Sequence, residues 1–354
     1  MKIRENVPLA SLTTMRIGGD ARYVIELTQK TDIPEALDFA LVQSLPVWLM
    51  GGGANTLAHD EGFEGVVILN KLTGIEVLSE NEERLKVRAM GGVAWDDLVD
   101  LACRKGFSGI EAMSAIPGTV GAAPVQNIGA YGQDLAQVVV SVEAYDRDKH
   151  EFMTLTNPEM NLGYRHTRFN YGEDAGRFLV VSVTLELKKQ RMQPPFYNSL
   201  QRYIDEHGET DFAPQNIRRM VMAIRSEKLP DPTEVPSAGS FFKNIYVDKA
   251  GVLAAEERSI PVWRDEKDGV LRGGKINGGW LIEACGLKGQ KLHGYRISEK
   301  AALVLINEDG VGYEELDLAR KEIIEAVRRK FGFTLEQEPV EIPVRADFVR
   351  KAQG

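Results

Sequence analysis

GIEAMSAIPGTVGAAPVQNIGAYG, residues 109–132, places glycine at 109, 118, 121, 129 and 132 and proline at 117 and 124, and Glu111 is its single charged side chain. Such a composition suits neither a regular helix nor a solvated loop. Glycine admits positive φ and leaves neighbouring N–H groups uncovered, so the main chain can close on an anion, and a phosphate or pyrophosphate is the expected guest. A buried turn packed on a neighbouring element would have the same composition. Upstream, the apolar run Val47–Met50 leads into Gly51, Gly52, Gly53, Ala54 and Asn55. Strand into triple glycine is the first half of a nucleotide-binding turn. The third spaced glycine of a Rossmann fingerprint is missing, however, and no good helix follows, so a plain turn competes with that reading.

The length, 354 residues, exceeds that at which one core stops growing, so two or three domains are expected. Hydrophobic residues at 43% and charged residues at 27% place the chain among folded soluble proteins. No run is long and apolar enough to span a bilayer, and the start MKIRENVPLA lacks the apolar core of a signal peptide, so a cytoplasmic location is expected. A net charge of -9 gives the molecule as a whole no attraction for nucleic acid or an acidic membrane, and neither is expected as a partner. Cys103 and Cys285 are far apart and the five histidines are scattered, which predicts reduced core cysteines and no metal site.

Around the glycine turns the pattern is mixed. Residues 13–27 read as a glycine turn and a short strand. Residues 31–42 are expected as a helix, with Asp32 and Glu35 as a capping box, Pro34 early in the first turn and Leu37, Ala40 and Leu41 on the apolar face. Residues 75–79 and 85–89 alternate as a hairpin around the polar turn 80–83. Trp95, Leu98, Val99 and Ala102 then fall at helical spacing before Gly106. Further strands are expected at 138–145, 152–155 and 178–187. Strands grouped with few helices between them predict an α+β fold rather than a doubly wound sheet.

Three segments carry candidate chemistry. GYRHTRF, residues 163–169, brings Arg165 and Arg168 together with aromatics, which suits a clamp for carboxylate or phosphate oxygens; a surface ion pair is the plainer alternative for each. MQPPFYNSLQRYI, residues 192–204, reads as a loop exposing Tyr197, either as a lid or as an ordinary surface tyrosine. Arg218, Met222, Arg225 and Lys228 fall on a helix that breaks at Leu229, Pro230, Asp231 and Pro232, a domain boundary. Beyond it, PSAGSFFKN, residues 236–244, sets Ser240 between a glycine and two phenylalanines. The lack of a G-x-S-x-G elbow argues against a serine hydrolase.

Taken together, TTMRIGG at 13–19, GGGANTL at 51–57, IPGTVGAAPVQNIGAYG at 116–132, GYRHTRF, KLPDP at 228–232, AGSFFKN at 238–244, GGWLIEACGLKG at 278–289 and LVLINEDG at 303–310 resemble the UDP-N-acetylenolpyruvoylglucosamine reductase family, over nearly the whole chain. The tyrosine loop at Tyr197 is similar to the longer of the family's forms. This resemblance implies a two-part FAD-binding module of the PCMH/VAO-like type, at 1–72 and 73–228, and a C-terminal α+β substrate-binding domain, at 229–354, whose final strand can return to the first part. It implies FAD and NADPH as cofactors, a UDP-sugar as substrate, reduction of an enolpyruvyl ether in peptidoglycan precursor synthesis, and a monomer. Gly51, Gly52, Gly53, Asn55, Ser114, Gly118, Gly121, Asn127, Gly129 and Tyr131 would line the flavin. Ser240, Arg165 and Glu338 would be catalytic, and Tyr197, Lys228 and Asn244 would bind substrate or nicotinamide.

The C-terminal part departs from the family. Leu316, Ala319, Ile323, Val327 and Phe331 form a helix stripe closed by Gly332. Family members commonly continue Leu-Glu-Pro-Glu; here the chain reads Leu335, Glu336, Gln337, Glu338, Pro339, Val340, Glu341, so Glu341 rivals Glu338 as the functional carboxylate. Residues 247–275, rich in charge, are expected as a surface excursion. Ser298, Glu299 and Lys300 precede an apolar strand and are candidates to meet a diphosphate. Two other functions share many of these features: a different flavin oxidase of the same binding fold, and a nucleotide-binding protein without catalysis. The oxidase would have no use for Ser240 together with Arg165, and bound flavin would separate the non-catalytic protein from the other two.

Overall fold

The computed structural model describes residues 1–344. Its first sheet runs in the order Lys2–Pro8, Asp20–Leu27, Phe63–Asn70, Val47–Met50, with the first pair antiparallel and the others parallel. FEGVVILN reads as one apolar block because both faces of that strand are covered. Val66 and Ile68 pack with Ile33, Ala36 and Leu37 of the helix Asp32–Val42, while Val67 and Leu69 pack with Trp48 and Val24 on the other side. The helix stands where its periodicity predicts it, but the capping box does not form. Asp32 turns back to accept the Thr28 and Gln29 N–H groups at 2.8 and 3.0 Å, tying the turn before the helix.

A second sheet, antiparallel throughout, has the order Glu151–Thr156, Val139–Asp146, Phe178–Lys188, Arg84–Met90, Ile75–Glu80. Its strand Phe178–Lys188 is the seam of the two sheets. Val180, Val183 and Leu185 face the core shared with Trp95, Leu98 and Val99 of the helix Trp95–Arg104, and Leu179 and Val181 join the core of the first sheet. The hairpin 75–90 and the strands near 138 and 178 follow the alternation in the sequence.

Residues 192–204 are not a loop throughout. Asn198–His207 is a helix whose Leu200 and Ile204 pack on Ile217, Met220, Val221 and Ile224 of the helix Pro214–Lys228, leaving Tyr197 at its N-terminal boundary, 40% exposed. The double proline hid this helix, because it marks only the segment leading in.

The region 247–275 is a folded unit rather than an excursion. Strands Ile245–Asp248, Val270–Ile276 and Val262–Lys267 form a three-stranded sheet in that order, backed by the helix Lys249–Glu257. Its apolar anchors are spread at period two over short strands, so no single window looks hydrophobic. Val247, Val262 and Ile276 pack with Ala255 and Ile260. Gly274 makes this possible: a Cβ there would stand 2.7 Å from Val262 Cγ1 and 2.9 Å from Val252 Cγ2. Register pairs Lys275 with both Tyr246 and Trp263, so those three share the opposite face.

The remaining C-terminal sheet, Ser237–Ser240, Val304–Asn307, Tyr295–Ile297, Lys291–Leu292, is covered by the helix Tyr313–Phe331 through Leu316, Ala319, Ile323 and Val327. Gly332 ends that helix at φ 75°. The chain then crosses back, and Val340–Ile342 pairs in parallel with Thr56–Ala58 near the N-terminus. Residues 345–354, the end of the third expected domain, lie outside the described residues.

Candidate active site

The strand Val47–Met50 delivers the turn 51–55 to one wall of a cavity of about 980 Å³, and residues 116–126 form the facing wall. The two glycine turns touch. A Cβ on Gly52 would lie 3.1 Å from Gly118 Cα, and one on Gly51 would lie 2.6 Å from Thr119 Oγ1. Gly53, at φ 67°, has no alternative, since a Cβ would fall 1.9 Å from Leu12 O. Thr119 Oγ1 is buried without a hydrogen-bond partner in this wall. Uncovered main chain and an orphaned hydroxyl fit the oxygens of a dinucleotide pyrophosphate.

Third to arrive is the returning segment. Asn55 Nδ2 donates to Gln126 Oε1 at 2.8 Å, and both amides point at the Glu338 carbonyl, at 3.4 and 3.3 Å. The first turn, the second turn and the C-terminal segment are thereby joined at one peptide. Glu338 projects its carboxylate to Arg165, Nε to Oε1 2.7 Å. Burial drives the Glu338 pKa above the ordinary carboxylate value, and the Arg165 and Lys243 charges oppose it without cancelling it. Arg165 sits at φ 55° in the turn 163–166, and its Nη1 donates to Asn127 O at 3.4 Å. Arg168 does not join it; that side chain pairs with Asp174 at 2.5 Å.

Ser240 ends the strand Ser237–Ser240, half-buried, and is not a lining residue of the cavity. Its neighbour Phe241 accepts the Glu338 N–H at 2.9 Å, so the serine strand and the Glu338 segment run side by side. Asn244 lines the cavity, where its side chain accepts the Gly278 N–H at 3.1 Å and bonds the Tyr164 phenol.

Of the residues expected at the flavin, Gly51, Gly52, Gly53, Asn55, Gly118 and Gly121 line the cavity, whereas Ser114, Asn127, Gly129 and Tyr131 do not. The Ser114 hydroxyl donates to Glu111 O at 2.6 Å in the core. Asn127 spends its amide on the main chain, donating to Gly163 O at 3.3 Å and accepting the Ala136 N–H at 2.9 Å. Gly129 lies in a two-residue hairpin against Asp134. Tyr131 belongs to an aromatic row: its ring is 5.7 Å from Tyr197, which is 6.1 Å from Trp263. Lys228 stands at the end of the helix Pro214–Lys228, its pKa pushed down by burial and by Arg202. The Ser298 hydroxyl caps a turn by accepting the Lys300 N–H at 3.2 Å, and 298–300 stay away from the cavity lining.

Lys275, Gln126 and Thr119 flank or line the cavity but were not singled out by sequence reasoning, and Arg225 was noted only as a member of its helix. Lys275 hangs 4.1 Å over the Tyr164 ring, its pKa lowered by burial and by Arg165. Arg225 bonds Tyr131, and its Nε is buried without a partner. Gln126 and Thr119 lay within the quoted glycine stretch, and their side chains gave a signal that the glycines obscured.

Residues 21–152 match the FAD binding domain family, and residues 231–342 match the family described as UDP-N-acetylenolpyruvoylglucosamine reductase, C-terminal domain. Fold and site define an FAD-dependent oxidoreductase of mixed α+β architecture. The UDP-N-acetylenolpyruvoylglucosamine reductase of Chromobacterium violaceum is 35% identical over 96% of this chain and 99% of its own length, and that of Ralstonia nicotianae is 36% identical over 95% and 98%. This chain belongs to the UDP-N-acetylenolpyruvoylglucosamine reductase family. The crystal structure of the Thermus caldophilus reductase shares the fold, with a TM-score of 0.64 at 21% identity over 97% of this chain and 100% of that one.

Proposed function

We propose that the protein reduces the enolpyruvyl ether of UDP-N-acetylglucosamine enolpyruvate to UDP-N-acetylmuramate, with NADPH as reductant and FAD as relay, for peptidoglycan precursor synthesis. The observation that carries the reading is the Arg165–Glu338 pair beside a glycine-lined cavity, one ladder step from the Ser240 strand. FAD held between the glycine turns at 51–55 and 116–126 would supply the hydride chemistry, linking NADPH oxidation to reduction at the terminal vinyl carbon of the ether.

The side chains then have two tasks. Charge develops on the carbon next to the substrate carboxylate and spreads into that carboxylate. Arg165 has its Nε held by Glu338 and Nη1 by Asn127 O, which fixes the guanidinium plane and leaves its outer N–H groups for the carboxylate oxygens. Ser240 supplies the proton to that carbon, a positioned transfer worth roughly 10² to 10⁴ in rate. Hydride on one carbon and proton on the next account for both hydrogens gained. Tyr197, Lys228 and Asn244, with Lys275 added from its place over Tyr164, form the cationic and aromatic flank suited to a sugar diphosphate. Gly51, Gly52, Gly53, Asn55, Gly118 and Gly121 are assigned to FAD as lining residues, and Ser114, Asn127, Gly129 and Tyr131 as their supports.

The division into 1–72, 73–228 and 229 onward belongs to the same proposal, supported by a hydrophobic cluster centred in each region, although Leu179 and Val181 join the first core and Met15, Ile17 and Leu57 join the C-terminal one. One chain carries every proposed group, which supports action as a monomer. A nucleotide-sugar substrate supports a cytoplasmic reaction, and no helix among the described residues is long and apolar enough to cross a membrane.

Anaerobic NADPH should bleach the flavin of the purified protein, and UDP-N-acetylglucosamine enolpyruvate should restore its colour and drive continuous NADPH oxidation. Bleaching without recolouring by that nucleotide rejects the reading, and oxygen consumption with a sugar or hydroxy acid would favour a flavin oxidase.

A further inference from the structure

Glu338 and Glu341 lie three residues apart in very different surroundings. The Glu341 carboxylate takes Arg320 Nη1 at 2.6 Å and Gln337 Nε2 at 3.0 Å, with His59 Nε2 at 3.5 Å and the Tyr313 hydroxyl also upon it. Arg320 reaches the same segment a second time through Gln337 Oε1 at 2.7 Å, and Asp317, three residues earlier on its helix, orients it. Gln337 closes the knot by donating Nε2 to Pro339 O at 2.9 Å. One guanidinium on the helix Tyr313–Phe331 therefore ties down the chain on both sides of Glu338, without itself lining the cavity.

The backbone needs that help. Gln337 forms an isolated antiparallel bridge with Phe242, flanked by Lys243 N to Glu336 O at 2.8 Å and Glu338 N to Phe241 O at 2.9 Å. Only two main-chain hydrogen bonds join the Ser240 strand to the Glu338 segment directly; the other main-chain restraint at Glu338 is its carbonyl, held by the Asn55 and Gln126 amides at 3.4 and 3.3 Å. A slip of one residue would turn Glu338 to the opposite face and away from Arg165.

We propose that Arg320 is a positioning residue for substrate reduction: by holding Gln337 and Glu341 it fixes Glu338 in register with the Ser240 strand and at its contact distance from Arg165. The proposal rests on the function proposed above. It concerns the substrate half-reaction alone, because hydride transfer from NADPH asks nothing of Glu338 or Ser240.

The test uses flavin-loaded full-length protein in anaerobic stopped flow, reading bleaching by NADPH and recolouring by UDP-N-acetylglucosamine enolpyruvate separately. Arg320→Met is expected to slow recolouring roughly 10- to 100-fold, the scale of an ångström-level misplacement, with bleaching unchanged. Arg320→Lys keeps the charge beside Glu341 but lacks the fork that spans to Gln337, and should recover part of the loss. Gln337→Leu cuts the knot without stranding a buried charge, so it reports even where Arg320→Met folds poorly, and recolouring should slow again. Equal slowing of both steps, or full-rate recolouring in Gln337→Leu, overturns the proposal. A wild-type protein that bleaches and is never recoloured overturns the functional reading and this proposal with it, whereas a recoloured wild type with unaffected variants overturns the proposal alone.

Discussion

Arg165 Nε and Glu338 Oε1 stand 2.7 Å apart although 173 residues separate them, and their side chains are only 18% and 11% exposed. A pair this far from water stabilises little by itself, because desolvation of both charges offsets most of their attraction. Its value is in orientation. Glu338 locks the guanidinium plane, while burial pushes the same carboxylate toward its neutral form against the opposing pull of Arg165.

Glu338→Gln keeps the size and an acceptor for Arg165 but removes the charge. Turnover should fall by roughly 10²-fold or more, the scale of losing one preorganised electrostatic group, with flavin content unchanged. Glu341→Gln should retain turnover within about tenfold, since that carboxylate is enclosed by Arg320, Gln337, Tyr313 and His59 rather than directed at a substrate. Steady-state NADPH oxidation with flavin stoichiometry decides it. A larger loss in Glu341→Gln would exchange the two roles.

Ser240→Ala should leave flavin reduction by NADPH nearly intact and abolish transfer to the enolpyruvyl substrate. Ser240 lies outside the cavity lining, so this experiment also asks whether its strand moves toward the cavity when substrate binds. Stopped-flow traces with both half-reactions slowed alike would remove the serine from the reaction.

What the sequence made legible was local. The strand Val47–Met50, the hairpin 75–90, the helix ending at Lys228 and the helix closed by Gly332 each follow from period, proline or glycine within one window. The sheet at 245–276 was illegible because its core-facing residues, the buried Ile276 and the half-buried Val247 and Val262, belong to three strands with polar residues between. Lys275 was hidden for a related reason: only its cross-strand partners Tyr246 and Trp263 reveal that it faces the site. Ser114 and Asn127 show the converse. The family resemblance assigned them to the flavin, and in the fold their hydrogen bonds hold main chain beside the cavity wall. No motif could have separated Glu338 from Glu341, because the distinction depends on Arg165 and Arg320 arriving from elsewhere.

Gly53→Ala tests the cavity wall directly. The position requires φ 67°, and a Cβ would meet Leu12 O at 1.9 Å, so the turn 51–55 must move away from residues 12–13. Left-handed backbone alone costs about 1 to 2 kcal/mol outside glycine, and the backbone clash adds to it. The variant should purify with markedly less flavin and regain colour only at high added FAD. Full flavin occupancy at wild-type stability would show that this turn does not shape the cofactor site.

Acid should weaken the fold through two named carboxylates. Burial pushes Glu341 upward, but His59, Tyr313, Gln337 and Arg320 outweigh it and bring its pKa from the ordinary 4.5 to about 2. Asp146 falls from 3.8 to about 2, chiefly through its bonds to Arg177 at 2.6 and 2.8 Å. Both are depressed in the folded state, so the unfolded chain binds more protons in this window. Their stabilisation is complete above about pH 5 and is lost as pH falls toward 2, amounting to about 3 kcal/mol for Glu341 and about 2 for Asp146 at 1.36 kcal/mol per unit. Thermal midpoints measured from pH 7 to pH 2 should therefore drop most steeply below 4.5 in the wild type. Glu341→Gln should start lower at neutral pH, where its partners lose a charge to bind, and fall less steeply through the acid range. Parallel curves for the two proteins would mean that the Glu341 carboxylate titrates normally and that the Arg320 knot holds no charge worth removing.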